Sequence, residues 1–299
     1  MKISMYNDNE IFPLCPPLQL PSGVSEQQLF DFVTSVRVHD GPEEEMRAYC
    51  THDFRRFVYT LGMAKDLTGK CLELGGNPYF TTMLLKQFTK LDLYVANFFG
   101  DKYHGNNLQS VDYNELYGTK RLSTSFSFEI FNVEEDTFPY NDSTFELIIF
   151  AEIIEHLLMD PCKALLEIRR VLKPGGTLIL TTPNVARLEN IAKIISGSNI
   201  YDPYSGYGPY GRHNREYNIH ELNNLLSFVG FKTVSCFTAD VHSNLTENYY
   251  DLKDIKDFLN FRKEDLGQYI FIKAELQNSS IDKRKPNWLY RSYPQNELI

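Results

Sequence analysis

Three groups of residues in this chain have side chains and spacings suited to chemistry. The first is Cys71-Leu72-Glu73-Leu74-Gly75-Gly76-Asn77-Pro78. An apolar run ends in an acid, two glycines follow, and a helix can begin at the proline. Glycine lets the chain turn sharply and leaves room for a ligand against the backbone. A phosphate cradle of the G-x-G-x-x-G kind needs a third glycine, which is missing here. The carboxylate of Glu73 repels phosphate and attracts a cation or an amine. An ordinary strand-turn-helix junction accounts for the same residues equally well.

The second group is Glu152-Ile153-Ile154-Glu155-His156. On a helix, positions i, i+3 and i+4 share one face. Two carboxylates and an imidazole placed so can hold a divalent cation. Alternatively His156 serves as a base near neutral pH, or it only packs. The third group is the stretch 201–217, which has five Tyr, three Gly and two Pro and includes His213. A tyrosine offers a flat apolar face and a hydroxyl, which suits sugars and other polyols. Arg212 and Arg215 suit a phosphate or carboxylate. A loop folded on its own tyrosines is the competing reading.

The surrounding pattern supplies elements to hold these groups. Helices are expected over 25–38, with Ser25 and Gln28 as a capping box, and over 43–65. Strands and helices then alternate. The strands are 70–74, 91–96, 126–131, 145–150, 176–181, 231–237 and 268–276; the helices are 78–88, 161–172, 185–198, 218–229 and 251–260. Residues 101–121 carry no strong pattern, and the last twenty are polar and irregular. Such alternation indicates a mainly parallel sheet covered on both faces. Residues 1–66 read as an arm and helical lid, 67–278 as the main domain and 279–299 as a tail. The segment 201–217 is the expected acceptor loop.

Bulk properties narrow the function. A chain of 299 residues with 42% hydrophobic residues can bury a large core without staples. The net charge of −9 is a poor match for a nucleic acid. The one dense basic run, 282–285, reads as a solvated tail. The five cysteines, Cys15, Cys50, Cys71, Cys162 and Cys236, are scattered and without C-x-x-C spacing, which points to free thiols in a reducing, cytoplasmic setting. No run is long enough to span a membrane, and the proline-rich start cannot form a signal helix. Oligomeric state, a homo-oligomer included, stays open.

Two further positions complete the ligand argument. Asn97 ends the strand after the glycine bend, where an Asp or Glu commonly holds ribose hydroxyls. An amide can bond a hydroxyl, though as a weaker acceptor, and Asp101 is a substitute. Asn132-Val133-Glu134 follows the next strand and can meet an adenine ring and its amino group.

From Cys71 to Asn184 the chain resembles the class I S-adenosylmethionine-dependent methyltransferase family. The run from Phe138-Pro139 through Ser143-Thr144-Phe145-Glu146 to Glu152-Ile153-Ile154-Glu155-His156 carries the likeness, together with Leu172-Lys173-Pro174-Gly175-Gly176-Thr177-Leu178. The resemblance implies a Rossmann-like, doubly wound α/β fold with a mainly parallel seven-stranded sheet. It implies S-adenosylmethionine as cofactor and methyl transfer as the reaction. Glu73, Gly75, Gly76 and Asn77 would then hold the methionine end, Asn97 the ribose, and Asn132, Val133 and Glu134 the adenine, with Ala151 completing the set. His156 or His213 would be the catalytic base. Glu152, Glu155, His156 and His213 resemble the metal set of ubiquinone-pathway O-methyltransferases and small-RNA 2′-O-methyltransferases, which implies Mg or Mn as a second cofactor. The block 211–217 is similar to methyltransferases acting on sugars and small metabolites. The expected reaction is O-methylation of a hydroxyl on a sugar, glycan precursor or other small metabolite. N-methylation of a small amine, and a non-catalytic binding or regulatory subunit, are the alternatives. A NAD-dependent oxidoreductase fits poorly, because the glycine spacing is wrong and position 97 is not acidic.

Overall fold

The structure is a computed structural model and describes residues 12–39, 41–100, 107–118, 120–282 and 284–299. Helix α1 (Glu26–Val33) opens on the expected capping box, in which Ser25 and Gln28 satisfy each other's backbone amides. It ends four residues before β1 (Arg37–Val38), so the helix expected to reach residue 38 is shorter. Next come α2 (Glu43–Ala64), β2 (Thr68–Leu74), α3 (Phe80–Phe88) and β3 (Lys90–Asn97). Strands β4 (Leu108–Asn114) and β5 (Arg121–Ser127) form a hairpin, and β6 is the pair Glu129–Ile130. The second half holds β7 (Phe145–Ala151), α4 (Pro161–Val171), β8 (Leu172–Pro183) and α5 (Leu188–Ile195), then α6 (Ile219–Phe228), β9 (Phe231–Ala239), α7 (Leu252–Leu259) and β10 (Tyr269–Leu276).

Seven strands form one sheet in the order β6-β3-β2-β7-β8-β10-β9. All neighbours are parallel except β10, which runs antiparallel to both β8 and β9. The central strands are apolar on both sides because helices cover both faces. Leu72, Leu74, Ile148, Phe150, Leu178 and Leu180 point into one apolar cluster with α4 and α6. Cys71, Leu147, Ile149 and Ile179 alternate with them into a second cluster with α1, α2 and α3. The boundary expected at residue 66 falls between α2 and β2, and α2 shares that second cluster with the sheet. All five cysteines are free thiols.

Four local expectations are corrected. The patternless stretch before residue 121 contains β4, which pairs antiparallel with both β1 and β5 in a separate three-stranded sheet. Its sequence, Leu-Gln-Ser-Val-Asp-Tyr-Asn, offers only Val111 and Tyr113 as apolar residues of its inner face and fully buries only Gln109 and Val111, so its hydrophobic alternation is weak. The strand expected over 126–131 is split between the end of β5 and the short β6. The third correction concerns Glu152 to His156, which do not share a helical face. Glu152 has φ +54°, and only Ile154–His156 form a single 3-10 turn. The irregular C-terminal tail is docked rather than solvated: the hydroxyl of buried Tyr290 donates to Asp160 at 2.6 Å and Lys285 pairs with the same carboxylate.

Candidate functional site

The glycine bend joins β2 to α3 at the carboxyl end of the sheet, where ligands of doubly wound folds bind. Gly75 has φ +69° and is exposed; a Cβ there would lie 3.1 Å from Ile153. At Gly76 a Cβ would lie 2.5 Å from Val95, so only glycine lets β2 and β3 close together. Both amides donate to the carbonyl of Ala96. Glu73 stands behind the bend rather than on it. Its carboxyl is buried, accepts a bond from Thr82 Oγ1 at 2.6 Å, and is pushed up to about 7 by burial.

Asn97 is likewise engaged from within. Its Oδ1 accepts from the Asn77 amide at 2.9 Å and its Nδ2 donates to the Tyr79 hydroxyl at 3.2 Å. Tyr79 and Asn77 both donate to Gln109 on β4. The inserted hairpin thus braces the glycine bend through an amide network. Asp101, the substitute expected for the ribose, lies outside the described residues.

Across the cleft, Glu134 accepts bonds from the backbone amides of Leu158, Met159 and Asp160. Those contacts fix the chain entering α4 and occupy the carboxylate expected at the adenine. Asn132 is buried, and its Nδ2 donates to the hydroxyl of Tyr210 at 3.1 Å. Tyr210 also donates to Glu134 and meets Phe98 edge to face, with ring centroids 5.7 Å apart. Only this tyrosine of the aromatic loop reaches the cleft lining; Tyr201, Tyr204 and Tyr207 are exposed and Tyr217 is buried in the core. Tyr210 and Phe98 were not singled out by sequence, because their partners are distant along the chain.

The turn 152–156 forms the floor next to β7 and β8. Thr181 donates to Glu152 at 2.7 Å and Thr182 to Glu155 at 2.9 Å. Burial raises both carboxyls, that of Glu152 to about 8. Glu155 is fully buried, and its Oε1 has no hydrogen-bond partner. Asn214 ties the aromatic loop to this turn: its amide donates to the Glu155 carbonyl and its side chain to the His156 carbonyl. His156 Nδ1 lies 2.9 Å from the carbonyl of Arg212, which can only accept, so Nδ1 carries the proton and Nε2 is a free lone pair. Burial, with His213 close by, holds His156 below the usual imidazole value. For His213 burial pulls the same way, but hydrogen bonding to Glu216 and the charge of Glu155 outweigh it and the ring is raised. The two rings meet edge to face at 5.1 Å, and Glu155, His156 and His213 can present ligand atoms within 4.8 Å of one another. Glu152 is not part of that cluster; its carboxyl is turned to Thr181.

These walls line an open cleft of about 170 Å³. Gly75, Asn97, Asn132, Val133, Glu152 and His156 line it, with Phe98, Ile153 and Tyr210. Glu73, Gly76, Asn77, Glu134, Ala151, Glu155 and His213 do not line it. An open glycine bend, apolar walls and one buried amide opposite fit a nucleoside with a small polar tail. Among the described residues no helix is long and apolar enough to cross a membrane.

The sequence model of the family described as "Methyltransferase domain" matches residues 43–236. Together with the sheet order this places the chain: it belongs to that methyltransferase family, and the fold is the Rossmann-like α/β fold of class I S-adenosylmethionine-dependent methyltransferases. Similar solved structures include an S-adenosylmethionine-dependent methyltransferase from Thermotoga maritima, with TM-score 0.49, 15% identity, and 78% of this chain and 96% of that chain covered. Another comes from Archaeoglobus fulgidus, with TM-score 0.46, 16% identity, and 79% and 95% covered. A search of curated proteins finds no match. The family implies S-adenosylmethionine as cofactor.

Proposed function

We propose that this protein is an S-adenosylmethionine-dependent O-methyltransferase in which His156 is the base and a hydroxyl on a sugar, glycan precursor or other small metabolite is the acceptor. The observation that carries the reading is the orientation of His156. Its Nδ1–H is held by the Arg212 carbonyl, its Nε2 lone pair is free, and the ring lines the cleft. The cofactor supplies a methyl group already activated on a sulfonium. Gly75 would leave room for the cofactor's amino-acid chain, Val133 and Phe98 would flank its adenosyl group, and Asn132 and Tyr210 would offer polar contacts there. His156 Nε2 accepts the hydroxyl proton, and Glu155, 3.8 Å away, favours the imidazolium that results. Holding the acceptor in line with the methyl accounts for most of the remaining rate.

Incubation with methyl-labelled S-adenosylmethionine and a panel of glycosides, primary amines and phenols tests the assignment. Label on hydroxyl oxygens supports it; label on amines alone, or on nothing while the cofactor binds, contradicts it.

One observation favours a second reading, in which the same cluster holds a divalent cation. The unpartnered Glu155 Oε1 faces two imidazoles, and each Nδ1–H is anchored by an outer acceptor, Arg212 O and Glu216. Metal-binding histidines are commonly oriented in this way. Glu155, His156 and His213 would be the ligands, and the cation would lower the pKa of a bound hydroxyl. Cobalt titration of chelator-treated protein separates the readings: a visible ligand-field band lost in His213→Ala supports the metal, and a featureless spectrum supports the base.

A further inference from the structure

A closed loop of hydrogen bonds begins and ends on Asn77, the residue after the two glycines of the bend. Its backbone N–H donates to Asn97 Oδ1 at 2.9 Å. Asn97 Nδ2 donates to the Tyr79 hydroxyl at 3.2 Å, and that hydroxyl donates to Gln109 Oε1 at 2.6 Å. The same Gln109 oxygen accepts from Asn77 Nδ2 at 3.1 Å. Tyr79, Asn97 and Gln109 are all buried.

The loop has one allowed direction. A backbone N–H can only donate, so the Asn97 atom that meets it is the oxygen. The Asn97 nitrogen then donates, and the Tyr79 hydroxyl accepts there and passes its own proton on. Asn77 Nδ2 brings a second donor to the same point. Both converge on a group that can only accept, the Gln109 carbonyl, which therefore closes the loop. Gln109 is not local to the bend: it lies on β4, in the three-stranded sheet. The same sheet makes a second contact. Tyr79 has φ +69°, a left-handed backbone that a bulky residue keeps only when its surroundings hold it there. Its ring stacks on Phe126 of β5, with centroids 5.0 Å apart. Apolar packing alone would join the hairpin to the sheet; the polar loop adds fixed orientations for Asn77 and Asn97. Asn97 and Gly75 line the cleft, and Asn97 Oδ1 has a second lone pair beyond the one that meets Asn77.

We infer that Gln109 is a positioning residue for the cofactor: by closing this loop it holds the Gly75–Asn77 bend in shape and keeps Asn97 Oδ1 available as an acceptor for a ribose hydroxyl. The inference rests on the methyltransferase reading and gives the β4–β5 hairpin a part in it. Gln109 does not line the cleft and acts through Asn77 and Tyr79.

The test is calorimetry with S-adenosylhomocysteine on the full chain and three variants. Gln109→Met keeps the length of the side chain and removes the strong acceptor; Gln109→Glu keeps an acceptor for both donors. Affinity should fall about tenfold or more in Gln109→Met and stay within about threefold in Gln109→Glu. A role in packing alone predicts the reverse order, because a thioether suits a buried site and a carboxylate does not. Tyr79→Phe keeps the ring stack and cuts the link from Asn97 to Gln109, so affinity should fall about three- to tenfold. Specificity gives a second readout: the unmodified protein should prefer adenosine to 2′,3′-dideoxyadenosine, and Gln109→Met should shrink that preference. Gln109→Met binding as tightly as Gln109→Glu or more tightly, or a preference for the ribose hydroxyls that Gln109→Met leaves intact, overturns the inference. If Gln109→Met does not fold, Tyr79→Phe decides, and unchanged affinity there overturns it. Absence of S-adenosylhomocysteine binding by the unmodified protein removes the cofactor reading and this inference with it; equal binding by all four proteins removes the inference alone.

Discussion

The two ends of the cleft use their polar residues in opposite ways. At the end formed by β2, β3 and β6, the polar side chains are satisfied by the protein itself. Glu73 is held by Thr82, Asn97 by Asn77 and Tyr79, and Glu134 by three backbone amides. At the end formed by β7 and β8, polar atoms are left over: Glu155 Oε1 and His156 Nε2. The first end behaves as scaffold, where removing a side chain costs stability and weakens binding indirectly. The second keeps unused hydrogen-bonding capacity beside the proposed site of reaction, and changes there should alter chemistry and specificity while the fold persists.

The largest effect should come from the reactive end. His156→Ala is expected to lower turnover about 10²- to 10⁴-fold with cofactor affinity nearly unchanged, the range of general-base contributions; steady-state kinetics and calorimetry check both halves of the statement. The same residue sets a pH dependence. Because burial lowers its folded pKa below the usual 6.5, turnover should fall only at pH below 6.5, as Nε2 becomes protonated. Its share of stability has the same sign: it is intact above pH 6.5 and is lost as pH falls toward the folded value, because the unfolded chain binds the proton more readily.

At the scaffold end, Glu134→Gln should cost about 1–2 kcal/mol in denaturant unfolding, because one amide oxygen cannot accept from all three part-buried backbone N–H groups. Asn97→Ala should cost about 1–2 kcal/mol and weaken S-adenosylhomocysteine binding by loosening the glycine bend. Equal stability but lost turnover in either variant would reverse the comparison. The smallest effect is expected at Tyr207, which is 79% exposed and touches only Glu45 through its hydroxyl. Tyr207→Phe should change stability by less than about 0.5 kcal/mol.

Much of the scaffold was legible in the sequence because central strands and amphipathic helices carry strong patterns. Residues 145–150 read as a buried strand and 161–172 as a helix, close to the observed Phe145–Ala151 and Pro161–Val171. The hairpin β4–β5 was hidden, since its one apolar face is interrupted by Gln109 and Thr124 and it is defined by pairing with β1 about 70 residues earlier. At the site, Gly75, Asn132, Val133, Glu152 and His156 could be picked out from local motifs. Their mutual geometry could not. The i, i+3, i+4 spacing suggested one helical face, whereas the left-handed backbone at Glu152 separates it from Glu155 and His156. Tyr210 and Asn214 matter through partners 58 or more residues away, and nothing local to them signals it.

The central claim is that the cleft between the Gly75 bend and Tyr210 is the cofactor site and that His156 faces its reactive end. A crystal structure with S-adenosylhomocysteine tests this most directly. The account predicts the adenosyl group between Val133 and Phe98, the amino-acid tail at Gly75, and the sulfur on the His156 side of the cleft. Density for the adenosyl group elsewhere, with the Gly75 bend filled by side chains, would contradict it.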